Sequence, residues 1–146
     1  MFLLFIALKG ALILKNNYPH HYKTLTEQQI GFRLFSKTHD TRSIKPVIEI
    51  LGDGTIGIIR YANWTINHTI GIDNEGLKAC FSALACFGNI LNKIKIELKL
   101  MPSELLLVNN HRITHGRKSF DLTSGNRHFQ QVYLEIDDIE AKWRSL

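Results

Sequence analysis

The stretch NNHRITHGRKSFDLTSGNRHFQQVY (Asn109–Tyr133) directly follows the short apolar run Leu105–Val108 and is rich in imidazole and guanidinium side chains. An apolar run of this length predicts a buried strand, with the polar residues after it presented at a sheet edge. Imidazole is a common metal ligand and guanidinium pairs with carboxylates, so a metal bound beside an acid is one interpretation. Structural histidines and solvated arginines explain the same residue types more simply. The residues concerned are His111, His115 and His128, with Arg112, Arg117 and Arg127.

Two blocks within this stretch resemble the C-terminal signature of the TauD/TfdA-like Fe(II)/2-oxoglutarate-dependent dioxygenases. They are NHRITHGRKSF (Asn110–Phe120) and NRHFQQVY (Asn126–Tyr133), in the order and at the separation typical of the family. The resemblance is nearest to the branch that contains gamma-butyrobetaine hydroxylase and clavaminate synthase. It implies that His115 is an iron ligand and that Arg127 binds the distal carboxylate of 2-oxoglutarate.

The resemblance also implies a fold and a reaction. The expected fold is α+β, mainly β with flanking helices, as a partial double-stranded β-helix (jelly roll) that lacks its N-terminal strands. Residues 1–146 would form the C-terminal portion of a single domain. Fe(II) and the cosubstrate 2-oxoglutarate would serve hydroxylation or a related oxidation of a small organic molecule. Arg60 and Arg117 are further candidate contacts for substrate or cosubstrate, with a structural carboxylate as the alternative partner of Arg60.

The sequence lacks part of the expected iron site. Non-haem iron of this kind is held by two histidines and one carboxylate, and the family supplies the first two as H-x-D or H-x-E. None of the seven histidines is followed two positions later by Asp or Glu. We therefore expect a chain that begins partway through the domain, is inactive alone and has a complementary N-terminal chain as a candidate partner. The alternative is a non-catalytic remnant or binding module for a small carboxylic acid or a partner chain.

Hydrophobic periodicity predicts the remaining elements. β-branched runs around Gly52–Gly54 indicate a hairpin, and apolar residues at three- and four-residue steps indicate one long amphipathic helix. Residues 31–43 are interpreted as a strand edge or loop, and Lys95–Leu100 as either helix or strand. The predicted elements are hairpin strands Lys45–Leu51 and Thr55–Tyr61, helix Asp73–Ile94, turn Met101–Glu104, strand Arg127–Ile136 and helix Asp137–Leu146.

Composition restricts the classes of partner and compartment. The chain has 146 residues, 45% of them hydrophobic, and a formal net charge of +5. Its Lys and Arg residues are scattered, which argues against nucleic acid, and Met1–Leu14 is too short to cross a membrane. We expect this apolar start to leave an exposed face. Cys80 and Cys86 lie six positions apart on the predicted helix, too far for a disulfide, which favours reduced thiols and the cytoplasm.

Overall fold

A computed structural model of the chain describes residues 2–62, 64–67, 72–119 and 129–146. The described elements are mixed α and β, as expected for an α+β chain. They are β1 (Phe2–Phe5), α1 (Ala7–Asn17), α2 (Pro19–Glu27), β2 (Ile30–Phe35), β3 (Asp40–Lys45), β4 (Ile48–Ile50), β5 (Ile56–Ile59), β6 (Ile66–Asn67), α3 (Asn74–Lys93), β7 (Ile96–Leu98), β8 (Thr114–Arg117) and α4 (Ile136–Arg144).

The described strands form three small antiparallel sheets. Their strand orders are β7-β1-β8, β3-β2-β6 and β4-β5. Helices account for more of the described chain than strands do, so the balance is mixed rather than mainly β. The jelly roll expected from the family is not confirmed by these strands.

The hydrophobic core lies between helices α1 to α3 and the β4–β5 hairpin. Helix α3 confirms the predicted amphipathic helix: the Asp73 side chain accepts a hydrogen bond from the Gly76 amide at 2.7 Å, and the buried residues recur at helical steps. The Tyr61 ring meets Phe87 of α3 edge-on, with ring centroids 5.2 Å apart. Leu14, Leu25, Val47, Ile48 and Phe87 are fully buried in this core.

Both cysteines lie on α3 as free thiols. Burial raises the pKa of Cys80 and of Cys86. Each thiol therefore stays protonated at neutral pH and behaves as an apolar side chain. Across the part of the chain that the structure describes, no helix is both long and apolar enough to span a bilayer.

The predicted hairpin around Gly52–Gly54 is confirmed, with strands β4 and β5 shorter than expected. Gly54 has a φ of +82°, a conformation that glycine adopts without strain. The Asp53 carboxylate accepts hydrogen bonds from the Thr55 amide at 2.9 Å and from the Thr55 hydroxyl at 2.6 Å. These bonds lower the pKa of Asp53 and fix the turn.

The expectation of an exposed apolar start is wrong. Phe2 and Leu4 are only 7% and 8% exposed, and β1 is the central strand of its sheet. Its antiparallel neighbours are β7 on one side and β8 on the other. An apolar run this short fits a buried strand as well as a helix, and only its distant partners decide between them. Helix α1 begins directly afterwards, at Ala7.

The predicted strand at Leu105–Val108 is also wrong. Residues 105–108 belong to no strand, and Leu105 and Leu107 are 91% and 79% exposed. These residues pair with no strand of the described chain, so their apolar character alone does not produce a strand. The strand that carries His115 begins later, at Thr114.

The C-terminal prediction is partly wrong. The predicted strand Arg127–Ile136 is contradicted at residues 129–135, which form no strand, and at Ile136, where α4 begins. Exposed Val132 and Leu134 have no ladder partner in the described structure, so their β propensity alone does not produce a strand. Residues 127 and 128 lie outside the described residues. The C-terminal helix itself is confirmed, and all its residues are exposed.

The structure assigns two segments that the sequence left ambiguous. Most of residues 31–43 belong to the β2–β3 hairpin, and Lys95–Leu100 contains strand β7. The predicted turn at Met101–Glu104 is present, with the Glu104 amide donating to the Met101 carbonyl at 3.2 Å. Ser103 has a φ of 70°, which costs a non-glycine residue some strain.

Gly10→Ala tests how closely α1 approaches α3. A Cβ at Gly10 would lie 2.7 Å from Leu91 Cδ2 and 3.2 Å from Phe87 Cε2, and both side chains are buried. We expect overpacking to lower the free energy of unfolding by about 1–3 kcal/mol, outweighing the helix propensity of alanine. Urea denaturation measures the change. Gly52→Ala, with nothing within 4 Å of its added Cβ, is the control and should change stability little. Equal stability of the two variants would contradict the close approach.

Candidate functional site

His115 lies in the middle of β8, opposite Leu4 of β1. Residues directly opposite one another in antiparallel strands share a face, so the imidazole stands on the same face as Leu4. Leu4 is buried, whereas His115 is exposed. The strand therefore fixes the backbone of His115 and leaves its ring accessible to a ligand.

The turn before β8 is hydrogen-bonded to β5 and to α1. Asn109 accepts hydrogen bonds at its carbonyl from the amides of Arg112 and Ile113, and its side-chain oxygen accepts from the His111 amide at 2.9 Å. An asparagine that bonds the backbone two residues on is a standard turn former. The His111 carbonyl accepts a hydrogen bond from the Ile59 amide at the end of β5. The Arg112 carbonyl accepts one from the Leu8 amide in α1. These bonds set where β8 begins.

A salt bridge crosses the sheet beside β8. Lys118 Nζ lies 2.6 Å from a carboxylate oxygen of Glu97 in β7, on the far side of β1. This contact lowers the pKa of Glu97. The ion pair ties the two outer strands of the His115 sheet together.

Arg117 packs between two aromatic rings. It follows His115 by two positions, so both side chains lie on one face of β8. Its guanidinium carbon is 5.6 Å from the centroid of the Phe2 ring and 4.6 Å from that of Phe129. Arg117 also donates to Gln131 Oε1 at 3.5 Å. These contacts bring the segment 129–133 alongside the strand that carries His115.

Sequence reasoning missed this cluster of Phe2, Phe129 and Gln131 around Arg117. The rings of Phe2 and Phe129 are 4.6 Å apart although they come from opposite ends of the chain. Gln131 also donates to the Tyr133 hydroxyl. The available sequence signal was that Phe129, Gln131 and Tyr133 belong to the second of the two motif blocks. Nothing in the sequence pointed to Phe2.

Arg60 has a carboxylate partner within the chain. Its Nη2 lies 2.5 Å from Glu49 Oε2, and its Nη1 lies 3.5 Å from the Pro46 carbonyl. The side chains of Arg60 and Glu49 are 24% and 30% exposed, so solvent still reaches the pair. A contact of Arg60 or Arg117 with substrate or cosubstrate stays a prediction.

Arg127 and His128 lie outside the described residues, so the predicted approach of Arg127 to His115 stays a prediction as well. His111 lies in the turn before β8 and is exposed. The structure therefore brings together His115 and Arg117 of the candidate residues, on one face of one strand.

The described residues do not form a complete metal site. Residues 2–62, 64–67, 72–119 and 129–146 contain no group of three His, Cys, Asp or Glu side chains placed to hold one ion. A facial triad needs three ligands on one face, and His115 is at most one of them. The part of the chain that is described does not by itself fit Fe(II).

Comparison with known proteins gives a consistent family. The profile described as "Taurine catabolism dioxygenase TauD, TfdA family" matches residues 12–133. Gamma-butyrobetaine dioxygenase of Pseudomonas sp. (strain AK-1) is 28% identical over 126 residues, which cover 85% of this chain and 33% of that protein. Human gamma-butyrobetaine dioxygenase is 24% identical over 139 residues, which cover 91% of this chain and 36% of that protein. Dioxygenase str8 of Strobilurus tenacellus is 27% identical over 150 residues, covering 96% and 35%. The chain thus spans about a third of the length of these relatives.

Arg117→Gln tests whether the stacked guanidinium holds the segment 129–133. We expect a loss of about 1–2 kcal/mol in the free energy of unfolding, because two cation–π contacts disappear, together with lower NMR order parameters of the backbone amides at 129–133. Arg117→Lys keeps the charge but not the planar stack, so its stability should fall between those of the unsubstituted chain and Arg117→Gln. Arg112→Gln, in the neighbouring turn, is the control. Unchanged order parameters at 129–133 in Arg117→Gln would contradict this role.

Lys118→Gln tests the salt bridge across the sheet. Because the folded-state pKa of Glu97 is lowered, its stabilising contribution is present above the unfolded pKa and is lost as pH falls through the folded pKa. In Lys118→Gln the pKa of Glu97 should rise towards its ordinary value, as read by NMR titration of the side-chain carboxyl. Lys95→Gln is the control, since Lys118 is the larger influence on Glu97. The assignment fails if the Lys95 variant shifts the Glu97 pKa more than the Lys118 variant does.

Proposed function

The chain belongs to the TauD/TfdA family of dioxygenases, and from that premise we propose that it forms the C-terminal part of an Fe(II)/2-oxoglutarate-dependent dioxygenase. The enzyme would hydroxylate or otherwise oxidise a small organic molecule. The observation that carries the proposal is the family match over residues 12–133, which includes both motif blocks. The accessible imidazole of His115 on a strand with a fixed backbone supports it.

Each proposed residue has one role. His115 would donate a ring nitrogen to the metal. Arg127 would hold the distal carboxylate of 2-oxoglutarate through paired, charge-assisted hydrogen bonds, which fixes the orientation of the cosubstrate. Arg117 would act indirectly, because its guanidinium is engaged by Phe2, Phe129 and Gln131. When bound, Fe(II) would supply the oxidative chemistry.

The incomplete ligand set shapes the proposal. Since the described residues offer no three-ligand group, we assign the second histidine and the carboxylate to a complementary N-terminal chain. The chain by itself would then be inactive. Two free thiols suit a reducing compartment, and we propose the cytoplasm as the location.

A second candidate function is a non-catalytic module that binds a small carboxylic acid or a partner chain. The absence of a three-ligand group among the described residues favours it. The two functions differ in turnover: the dioxygenase, completed with an N-terminal segment and Fe(II) and supplied with O₂ and an oxidisable substrate, should convert 2-oxoglutarate to succinate and CO₂, with one oxygen atom entering each product. A module that binds 2-oxoglutarate should show no metal-dependent conversion.

His115→Ala tests the metal ligand. In the isolated chain labelled with ¹⁵N, Co(II) should perturb the amides of 114–117, and His115→Ala should abolish this effect because the only proposed ligand is removed. In a protein reconstituted with an N-terminal segment, the same substitution should abolish iron retention. His111→Ala is the matched control, because only its backbone is seen to form hydrogen bonds in the turn. Equal Co(II) effects in both variants would rule out His115 as the ligand.

Arg127→Gln tests the cosubstrate anchor. Calorimetric titration with 2-oxoglutarate should show an affinity about 10- to 100-fold lower, the equivalent of about 1.5–3 kcal/mol for a charged hydrogen-bonded pair. Pyruvate lacks the distal carboxylate, so its weaker binding should be the same in both proteins. Arg112→Gln should leave both affinities unchanged. If Arg127→Gln weakens pyruvate as much as 2-oxoglutarate, Arg127 is not the distal anchor.

A further inference from the structure

Strand β3 is an edge strand that projects from the core. The sheet order β3-β2-β6 places it at one side, and all six of its residues, Asp40–Lys45, are exposed. Its ladder partner is β2, with Arg33 opposite Arg42. On the other side, no strand among the described residues pairs with it. An edge of this kind offers backbone donors and acceptors to an incoming strand.

The β2–β3 hairpin is strongly basic. Residues 30–45 contain four Lys or Arg side chains and a single carboxylate, Asp40. Asp40 is already held between two guanidinium groups, with Arg33 Nε at 2.8 Å and Arg42 Nη2 at 2.7 Å. Both hydrogen bonds hold the pKa of Asp40 far below its usual range, so it is fully charged at neutral pH and its charge is locally balanced. The hairpin therefore keeps a net positive charge along its free edge from Arg42 and Lys45 of β3, with Lys37 in the turn.

A second copy of the chain is a poor occupant for this edge. An antiparallel, symmetric pair of β3 strands centred on Arg42 would place Arg42 directly opposite its own copy. Centring the pair on Ser43 would place the two Arg42 side chains diagonally opposite one another. Like charges at both positions disfavour pairing, so charge acts here against self-association.

A nucleic acid would neutralise the positive charge but would leave the backbone edge unpaired. A polypeptide strand with acidic side chains would neutralise the positive charge and would also form hydrogen bonds with the free backbone groups of β3. We propose that β3 is the docking edge for an extended, acidic segment of another protein, which adds to the β3-β2-β6 sheet as an additional strand. This surface is separate from the proposed oxidative function, because no residue of β2 or β3 belongs to the candidate site.

The alternation along β3 defines the preferred segment. Asp40, Arg42 and Ile44 lie on one face, and Thr41, Ser43 and Lys45 on the other. Ile44 is 51% exposed. An acidic residue opposite Arg42 and another opposite Lys45, with an apolar residue opposite Ile44, would complement both faces. Acidic side chains on both faces of the incoming strand are therefore expected.

The probe is a short fluorescent peptide in which two Glu residues three positions apart face Arg42 and Lys45, with Val opposite Ile44 and Thr at the other positions. Its binding is measured by fluorescence anisotropy at moderate salt. Arg42→Gln combined with Lys45→Gln should weaken its binding by about tenfold or more, since two charges facing the peptide are lost. Lys9→Gln combined with Lys99→Gln removes the same charge from exposed positions elsewhere and should have little effect. Hydrogen exchange at residues 40–45 should slow when the peptide binds. Thermal denaturation of each variant checks that it is folded.

Two further probes decide the nature of the edge. A backbone N-methylated version of the peptide has the same charges but cannot donate main-chain hydrogen bonds, so it should bind far more weakly. Equal binding of the two peptides, or equal weakening by both pairs of substitutions, would overturn the proposal in favour of a diffuse charge effect. Tighter binding of a single-stranded oligonucleotide would replace the peptide by a nucleic acid, and concentration-dependent dimerisation with slower hydrogen exchange at residues 40–45 would replace it by a second copy.

Discussion

The backbone pairing of β1 with β8 is the constraint on which the candidate site depends. Leu4 lies opposite His115 and Phe2 lies opposite Arg117, so the first residues of the chain define the register of the motif strand. Shifting this register by one residue would move His115 to the other face of the sheet. The bonds from the turn 109–113 to Leu8 and Ile59, and the Lys118–Glu97 pair, hold the same register from either side. The position of one imidazole thus rests on contacts between residues distant in sequence.

This dependence explains which elements the sequence predicted. The β4–β5 hairpin and α3 are local structures: a Gly/Asp turn and a helical apolar period each specify an element without reference to distant residues. Strand β1 was missed and Leu105–Val108 was wrongly predicted as a strand, because both are short apolar runs. The difference between them is that β1 pairs with β7 and β8, whereas residues 105–108 pair with no strand of the described chain, and such pairing depends on the fold as a whole. Residues 129–135, predicted as a strand, likewise pair with no described strand.

The candidate site was predictable to a similar extent. The motif identified His115, but the apolar run before it predicted a position just past the end of a strand. The structure instead places His115 within β8, with an accessible ring on a fixed backbone. The surroundings were not predictable: Phe2 joins Arg117 only because β1 pairs with β8, and this engages a guanidinium that the sequence offered as a ligand contact. Arg60 likewise has Glu49 as a partner across the hairpin. A motif thus identifies a residue, whereas tertiary contacts decide which strand carries it and whether it remains available to a ligand.

The exposure of His115 suits the metal-ligand role proposed for it. A metal ligand must present a free nitrogen lone pair, and an imidazole already buried or hydrogen-bonded within the chain would have to break those contacts first. A strand with paired neighbours fixes the Cα and Cβ positions, so only the ring torsions need to adjust when a metal and further ligands arrive. The aromatic stack at Arg117 limits movement at the adjacent end of the same strand. A chain that supplies one ligand can therefore hold it in position before the other ligands are present.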